Sequence, residues 1–250
     1  MSAQGASLPL PVLILRPQPG AQASLEAARK LGLAAEAYPL FEVRPQAWEA
    51  PACDDIDAIV LGSANALRHG GGALEAYRGK PAYAVGQKTA EAARAAGLDV
   101  VCTGRGGLQS VLDTLAPEHR RLLRLAGRER VALHLPEGVT MTTREVYASE
   151  ALPAPEALRQ RLRDMSQGAV LVLLHSGEAA VRFEDLCRKW GLATGAIHLV
   201  AIGPRVSARL HSPWGSVRCA PEPSDAALLA LAAQMCQEAF SGSIQVDNQT

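Results

Sequence analysis

The chain has 250 residues, 48% hydrophobic and 20% charged, so it can bury a core and is not predicted to be disordered. Lysine and arginine total 25 and aspartate and glutamate total 25, which gives a net charge of +0 and disfavours a dedicated nucleic-acid binder. Aromatic residues, at 4%, are too few for a base-stacking platform. The length corresponds to one large domain or two small ones.

Short apolar segments alternate with helical segments along the whole chain. Residues 12–15 read as a strand covered on both faces, 21–31 as a helix stopped by Gly32, and 34–40 as a second strand. Further strands are predicted at 56–61, 82–85, 100–102, 131–135, 170–174, 199–202 and 217–219. Further helices are predicted at 89–96, 108–115, 156–165, 179–190, 206–210 and 225–239. This alternation predicts an α/β fold with parallel sheets.

The cysteines and the N-terminus indicate the compartment. The five cysteines are odd in number and widely spaced, which argues against a disulfide scaffold and a structural zinc site. The apolar start has no basic residue before Arg16 and is broken by Pro9 and Pro11, unlike a signal peptide or a membrane span. We therefore expect reduced thiols in a cytoplasmic protein.

The basic and histidine side chains give weaker signals. A basic run consists of Arg120, Arg121, Arg124, Arg128 and Arg130. Its spacing predicts a solvated helix face, with a role in binding substrate or nucleic acid as the other interpretation. The six histidines show no metal-ligand spacing, so no metal site is predicted, and only His175 is a candidate for testing.

The same half-pattern of elements occurs twice. In the first copy, strands end before Ser63 and Gly86, which are 23 residues apart. In the second copy, strands end before Ser176 and Gly203, which are 27 residues apart. The similar spacing favours two duplicated subdomains over one continuous sheet, although any α/β chain can show near-repeats by chance.

The duplication predicts how the chain is divided. Residues 1–40 and 150–250 are expected to form one discontinuous α/β domain, and residues 41–149 a second, inserted α/β domain. The chain then crosses between the domains twice, near 41–45 and near 146–155. Two crossings predict a hinge with a cleft beside it.

Several motifs, taken in order, resemble one family. They are Leu15-Arg16-Pro17, Leu61-Gly62-Ser63-Ala64-Asn65-Ala66, Val85-Gly86-Gln87-Lys88-Thr89-Ala90, Val146-Tyr147, Leu174-His175-Ser176 and Ala201-Ile202-Gly203-Pro204. Each motif is weak alone, but their succession over nearly the whole chain resembles the uroporphyrinogen-III synthases. The resemblance implies two similar parallel-sheet α/β domains joined by a two-stranded bridge, with the active site in the inter-domain cleft.

The resemblance also implies an activity. Members of this family cyclise hydroxymethylbilane, a linear tetrapyrrole with acetate and propionate arms, to uroporphyrinogen III. Water is lost from the terminal hydroxymethyl group, and ring D is inverted through a spiro intermediate. No cofactor is needed in the family, and no dinucleotide, P-loop or zinc-protease motif is present in this sequence. We expect a monomer with this small-molecule partner and with neither nucleic-acid nor membrane partners.

Site residues follow from the motifs. Tyr147 is the expected catalytic residue, because a phenol can donate a proton to the departing hydroxyl; an ordinary bridge residue is the alternative. Substrate carboxylates are expected at backbone amides of helix N-termini, which carry partial positive charge. The expected binding residues are Arg16, Ser63, Ala64, Asn65, Gly86, Lys88, Thr89, Ser176, Gly177, Gly203 and Ser207. Alternatively, the two serines are only helix caps, Asn65 only stabilises its turn, and Arg16 only forms a surface ion pair.

Two departures from the family pattern leave other functions open. Arg205-Val206 follows Gly203-Pro204 where the family usually carries a threonine, and Ser207 stands one position later. Residues 135–146 are too few for the helix and strand that the family places there. The alternative function is therefore a synthase-like protein that binds a tetrapyrrole or another polyanion without cyclising it. A receptor of the periplasmic type is disfavoured by the absent signal peptide.

Overall fold

The computed structural model describes residues 10–164 and 168–246. The strands are β1 (Val12–Ile14), β2 (Ala35–Ala37), β3 (Phe41–Pro45), β4 (Ala58–Leu61), β5 (Pro81–Val85), β6 (Asp99–Gly104), β7 (Arg121–Gly127), β8 (Thr140–Ala151), β9 (Val170–Leu174), β10 (Ile197–Ala201) and β11 (Ser216–Cys219). The α-helices are α1 (Gly20–Lys30), α2 (Asn65–His69), α3 (Gln87–Ala95), α4 (Leu108–Leu112), α5 (Glu156–Arg163), α6 (Gly177–Lys189), α7 (Pro204–Ser207) and α8 (Asp225–Val246). Short 3-10 helices lie at Cys53–Asp55 and Gly72–Tyr77.

The chain forms two compact units. The first unit contains Met1–Glu42 and Ala151–Thr250, and the second contains Val43–Glu150. The chain passes from one unit to the other on β3 and again at the end of β8, and these two strands are neighbours in one sheet.

The first unit is built on a parallel sheet of order β11-β10-β9-β1-β2. Its strands are short apolar runs because both faces are covered by helices. One face packs Leu13 and Val172 against Phe183 of α6 and Leu158 of α5. The other face packs with α1 and α8.

The second unit is built on a sheet of order β3-β8-β7-β4-β5-β6, in which β4 to β8 are parallel. One face carries Ile59, Leu123 and Val146, and the other carries Val60 and Leu122. The expected α/β fold with parallel sheets is confirmed in both units.

The two sheets share one spatial strand order. β11-β10-β9-β1-β2 of the first unit corresponds to β6-β5-β4-β7-β8 of the second. Ser176 follows β9 and Ser63 follows β4, each two residues after the strand ends, as the duplication predicts. The register extends the correspondence to β1 and β7. Ile14 of β1 pairs with Leu173, and Arg124 of β7 pairs with Val60, and both partners lie three residues before the serine that follows their strand. The units are therefore two versions of one α/β arrangement.

The connections differ at one place. β1 and β2 are joined through α1, but β7 and β8 are joined by residues 128–139, which contain no helix. A helix is the usual connection between neighbouring parallel strands. Residues 135–146 were predicted to be too few for a helix plus a strand. The structure places the start of β8 there, without a helix.

The region around the basic run corrects two predictions. Residues 121–127 form strand β7 instead of a helix, and residues 131–135 are not a strand. Arginines three and four residues apart imitate a helical face, whereas the residues between them, such as Leu122, Leu123 and Leu125, are buried on both faces of a central strand. Val131, by contrast, is 59% exposed in the connection.

Asp57 fixes the start of β7. Its Oδ2 accepts hydrogen bonds from the backbone N–H groups of Arg120 and Arg121, at 3.0 and 2.7 Å. Its Oδ1 accepts a 2.6 Å hydrogen bond from the Arg121 guanidinium. The Arg121 side chain is the main cause that lowers the pKa of Asp57 to about 2. A carboxylate before β4 therefore aligns β7 beside it.

Candidate active site

Strand order indicates where each sheet binds a ligand. In open parallel sheets, ligands bind outside the carboxyl ends of the strands, at the point where the connections reverse direction. In the first unit this point lies between β1 and β9, which are followed by Arg16 and Ser176. In the second unit it lies between β4 and β7, which are followed by Ser63 and Arg128. Three of these four residues were predicted from the sequence.

The turn after β4 carries three of the predicted residues. The Ser63 hydroxyl accepts a hydrogen bond from the Asn65 N–H at 3.2 Å, and the Asn65 side chain accepts one from Arg68 at 3.1 Å. Ala64 is buried. α2, which follows, has only five residues, so its macrodipole is small. A ligand at this turn would therefore meet individual main-chain N–H groups and little of a helix dipole.

The turn after β5 begins a longer helix. Gly86 has φ +77°, a conformation that favours glycine, and no side chain caps α3 behind it. Lys88 is exposed and Thr89 is buried. The first amides of α3 therefore lie at the carboxyl edge without a side-chain cap.

The corresponding turns of the first unit are occupied by their own side chains. The Ser176 hydroxyl caps α6 by accepting from the Ala179 N–H at 3.1 Å, and Gly177 leaves room for the Arg209 side chain. After Gly203, the Ser207 hydroxyl donates to the Pro204 carbonyl and accepts from the Cys219 thiol, at 3.1 Å in both cases. Both hydroxyls thus have local hydrogen-bond partners.

A polar cluster, termed here the Asp225 cluster, consists of Arg16, Ser24, His175 and Asp225. The Asp225 carboxylate accepts hydrogen bonds from Ser24 Oγ at 2.8 and 2.9 Å, and His175 Nε2 lies 2.8 Å from Oδ1. Arg16 Nη1 lies 3.2 Å from the same oxygen and 3.1 Å from Ser24 Oγ. Gly20 makes room for Arg16, because a Cβ there would lie 2.5 Å from Nε. The ion pair expected as the alternative role of Arg16 is present.

The Asp225 cluster shifts two titrations. Burial by itself raises the pKa of Asp225, but hydrogen bonds from His175 and Ser24 and the charge of Arg16 outweigh burial and hold that pKa below its usual range. Burial lowers the pKa of His175, and its hydrogen bond to Asp225 only partly opposes this effect. The folded cluster therefore favours an ionised carboxylate beside a neutral imidazole.

His175 makes stability depend on pH. Because its folded pKa is lowered, the unfolded chain takes up a proton first as the pH falls through about 6.5, and the folded state loses stability. We expect the free energy of unfolding to fall more steeply for the unaltered protein than for His175→Gln between about pH 7 and about pH 5. Urea titrations at each pH measure this slope. His134→Gln, at an exposed position, is the control, and equal slopes for all three proteins would contradict the prediction.

Tyr147 lies at the carboxyl edge of the second sheet. It belongs to β8 and pairs with Gly127 at the end of β7. A Cβ at Gly127 would lie 2.6 Å from Tyr147 Cε2, so only glycine leaves room for the ring. The His69 ring lies 6.2 Å from the Tyr147 ring, centroid to centroid. Within residues 10–164 and 168–239, the Tyr147 hydroxyl makes no hydrogen bond, and the side chain is partly buried against the core cluster that includes Val146.

Sequence reasoning found some of these residues and missed others. The structure brings the predicted Arg16 and His175 together through Asp225, which was predicted only as a helix start. Ser24 and Gly127 were missed. Gly127 follows a segment rich in leucine, and a glycine in that position is a signal of a strand end. The arginines within and beside the segment made it resemble a helix instead.

The described residues contain neither a membrane-spanning helix nor a metal-binding group of side chains. No helix in the described part of the chain is both long enough and apolar enough to cross a membrane. No group of three or more histidine, cysteine or acidic side chains in that part could hold a metal ion.

The fold and the turns define the class of protein. It is a duplicated α/β protein with strand-to-helix turns at the carboxyl edges of two parallel sheets, where α/β proteins usually bind ligands. The sequence model described as uroporphyrinogen-III synthase HemD matches residues 22–230. The chain therefore belongs to the uroporphyrinogen-III synthase family. No curated protein sequence is significantly similar to this chain.

Solved structures support the fold. The structure of uroporphyrinogen-III synthetase from Helicobacter pylori is similar with a TM-score of 0.60 and 15% identity, over 90% of this chain and 99% of that one. A mutant uroporphyrinogen III synthase from Thermus thermophilus is similar with a TM-score of 0.52 and 15% identity, over 92% and 99%. At this identity the likeness concerns the fold.

Proposed function

We propose that the protein is a uroporphyrinogen-III synthase, a lyase of tetrapyrrole biosynthesis that cyclises hydroxymethylbilane. Family membership over residues 22–230 supports the substrate class. The single observation that carries the proposal is the position of Tyr147, which presents an unengaged hydroxyl at the carboxyl edge of the second sheet. We place this activity in the cytoplasm, in a monomer that needs no cofactor.

In the proposed reaction, Tyr147 acts as the general acid. Its phenol donates a proton to the hydroxyl of the terminal hydroxymethyl group, the C–O bond breaks and water leaves. The electron-deficient carbon is then attacked by ring D, and the proton released on rearrangement restores the phenol. Proton transfer by a positioned side chain contributes typically about 10²–10⁴-fold. The rest of the rate enhancement comes from holding the flexible bilane in a reactive geometry.

The acidic arms are proposed to bind main-chain amides, since the chain has no net positive charge. α3, with nine residues, and α6, with thirteen, have N-termini with appreciable dipoles. α2 and α7, with five and four residues, contribute individual N–H groups. The proposed contacts are Ser63, Ala64, Asn65, Gly86, Lys88, Thr89, Ser176, Gly177, Gly203 and Ser207. Arg16 is a weaker candidate because Asp225 already neutralises it.

The product isomer tests the proposal. Hydroxymethylbilane cyclises spontaneously to the type I isomer, and a synthase converts it to the type III isomer. We expect the purified protein to yield mainly uroporphyrinogen III, separated by chromatography after oxidation to the porphyrins. Buffer and heat-denatured protein are the controls. If only the type I isomer forms while the protein still binds the tetrapyrrole, the non-cyclising binding protein is the correct interpretation.

A further inference from the structure

Arg124 is a cation in the core layer of the second unit. It lies in the middle of β7, is 8% exposed, and donates from Nη1 to the Val131 carbonyl at 3.1 Å. In the part of the chain that the structure describes, no acidic side chain forms an ion pair with it. A buried charge without a paired opposite charge costs folding free energy, so such a residue needs another explanation.

The first unit shows what this position holds when it serves only the fold. By strand order and register, Arg124 corresponds to Ile14. Each pairs with a residue of the neighbouring strand that stands three positions before the serine following that strand. Ile14 is fully buried in the cluster that includes Leu25 of α1. An apolar residue thus fills the position in one unit, and a guanidinium replaces it in the other.

A pocket lies over Arg124. Its volume is about 450 Å³, and its lining includes Arg124, Arg128, Arg130 and Glu145. It is formed by β7, β8 and the 128–139 connection, which has no helix. In the first unit the corresponding connection contains α1, which packs on the sheet. The pocket therefore exists because the second unit lacks the helix that α1 provides in the first.

The charges in the pocket favour an anion. Glu145 is already paired with Arg130, at 2.5 Å. Arg128 Nη2 donates to the neutral Gln46 side chain at 3.3 Å, and Arg124 bonds to a carbonyl. Burial and the charge of Arg130 disfavour the charged form of Arg124 and lower its pKa, so an anion beside Arg124 stabilises that form. The guanidinium groups of Arg124 and Arg128 are left to attract an incoming negative group, and Glu129, which also lines the pocket, is the opposing charge.

We infer that Arg124 and Arg128 form a carboxylate-binding site that takes one acidic arm of the linear tetrapyrrole. A planar guanidinium can bind both oxygens of a carboxylate, which gives direction as well as affinity. This site rests on the proposed function for the identity of its ligand. It adds a side-chain contact in the second unit to the main-chain contacts proposed above.

A binding measurement on three variants tests this site. The probe is uroporphyrin, a stable porphyrin with eight carboxylates, whose fluorescence anisotropy rises on binding. We expect Arg124→Met to weaken binding about tenfold, as expected for the loss of one charge-assisted contact. Arg124→Lys keeps the positive charge but not the planar, two-donor geometry of the guanidinium. Its affinity for uroporphyrin should lie between those of Arg124→Met and the unaltered protein. Arg120→Met, an exposed residue of the same basic run, is the matched control and should bind like the unaltered protein.

Stability and kinetics separate binding from a structural role. Arg124→Met removes an unpaired buried cation, so its urea midpoint should equal or exceed that of the unaltered protein, whereas a merely structural arginine would lower it. With hydroxymethylbilane, we expect KM to rise by about the same factor as the dissociation constant, with a smaller change in kcat. A change in kcat alone would overturn the site.

The remaining outcomes are distinct. Unchanged uroporphyrin affinity in Arg124→Met would overturn the site even if the protein makes uroporphyrinogen III. If inorganic phosphate at millimolar concentration displaces uroporphyrin, the site binds anions in general, and the assignment to a carboxylate arm is overturned. If Arg124→Met weakens binding and the unaltered protein makes no type III isomer, the site stands and the proposed synthase activity fails.

Discussion

Tyr147→Phe is expected to lower kcat for uroporphyrinogen III formation by about 10²–10⁴-fold, because it removes the proposed general acid and leaves the ring in place. The ring stays positioned by the space at Gly127 and by its neighbour His69. Stopped-time assays with chromatographic separation of the isomers measure the rate. The type I isomer should accumulate as the spontaneous reaction overtakes the enzyme.

Tyr77→Phe is the matched control for this prediction. The same oxygen atom is removed, but from a buried tyrosine whose hydroxyl donates to the Pro51 carbonyl at 2.7 Å. We expect this variant to lose some stability and to keep its turnover. If Tyr147→Phe turns over at the rate of the unaltered protein, Tyr147 is not the proton donor, and the main-chain turns must carry the chemistry without it.

Asp225→Ala is expected to destabilise the first unit by about 2–4 kcal/mol, because it removes the acceptor shared by three donors. Ser24 is fully buried and His175 nearly so, so water replaces the lost carboxylate poorly. The substitution also removes a negative charge from the first turn of α8. Urea unfolding followed by tryptophan fluorescence reports on this unit through Trp190 and Trp214, and Trp48 reports on the other.

An exposed carboxylate provides the comparison for Asp225. Asp185→Ala removes a pair with Arg188 on α6, in which both side chains are more than half exposed, and we expect almost no change in unfolding. Asp225→Asn keeps one acceptor oxygen, so its loss of stability should lie between those of Asp185→Ala and Asp225→Ala. A similar unfolding midpoint for Asp225→Ala and the unaltered protein would show that the cluster adds nothing to stability.

The elements that could be predicted share one property, a burial pattern visible in the sequence. Val170–Leu174 and Ala58–Leu61 are unbroken apolar runs and were predicted as strands. β7 was missed because Arg124 points a charge into a core layer, which no periodicity indicates. The first half of β8 was missed because it is polar, although Thr140, Thr142 and Thr143 carry the β-branched signal of a strand.

The candidate site divides in the same way. The turns at Ser63, Gly86 and Ser176 could be predicted, because chain order alone puts them after strands and parallel strands end at one edge. The Asp225 cluster could not be predicted, because Ser24 and Asp225 are separated by 201 residues and meet only when the sheet is assembled. The assigned roles of Tyr147 and of the turn residues, like the cleft expected from the double crossing, stay predictions.

The place where the second unit leaves the first has a consequence for ancestry and for protein engineering. Within the first unit, the Leu152 N–H donates to the Leu40 carbonyl at 3.0 Å, so the severed ends are already side by side. Within the second, Arg44 and Glu150 pair at 3.3 Å near its own two ends. In chain order, the corresponding strands form two successive copies of one series, β1-β2-β4-β5-β6 and β7-β8-β9-β10-β11, and each copy is divided between the two units. A head-to-tail duplication of one gene would leave this order. Excising the second unit and closing each gap with a tight turn should yield two separate small proteins.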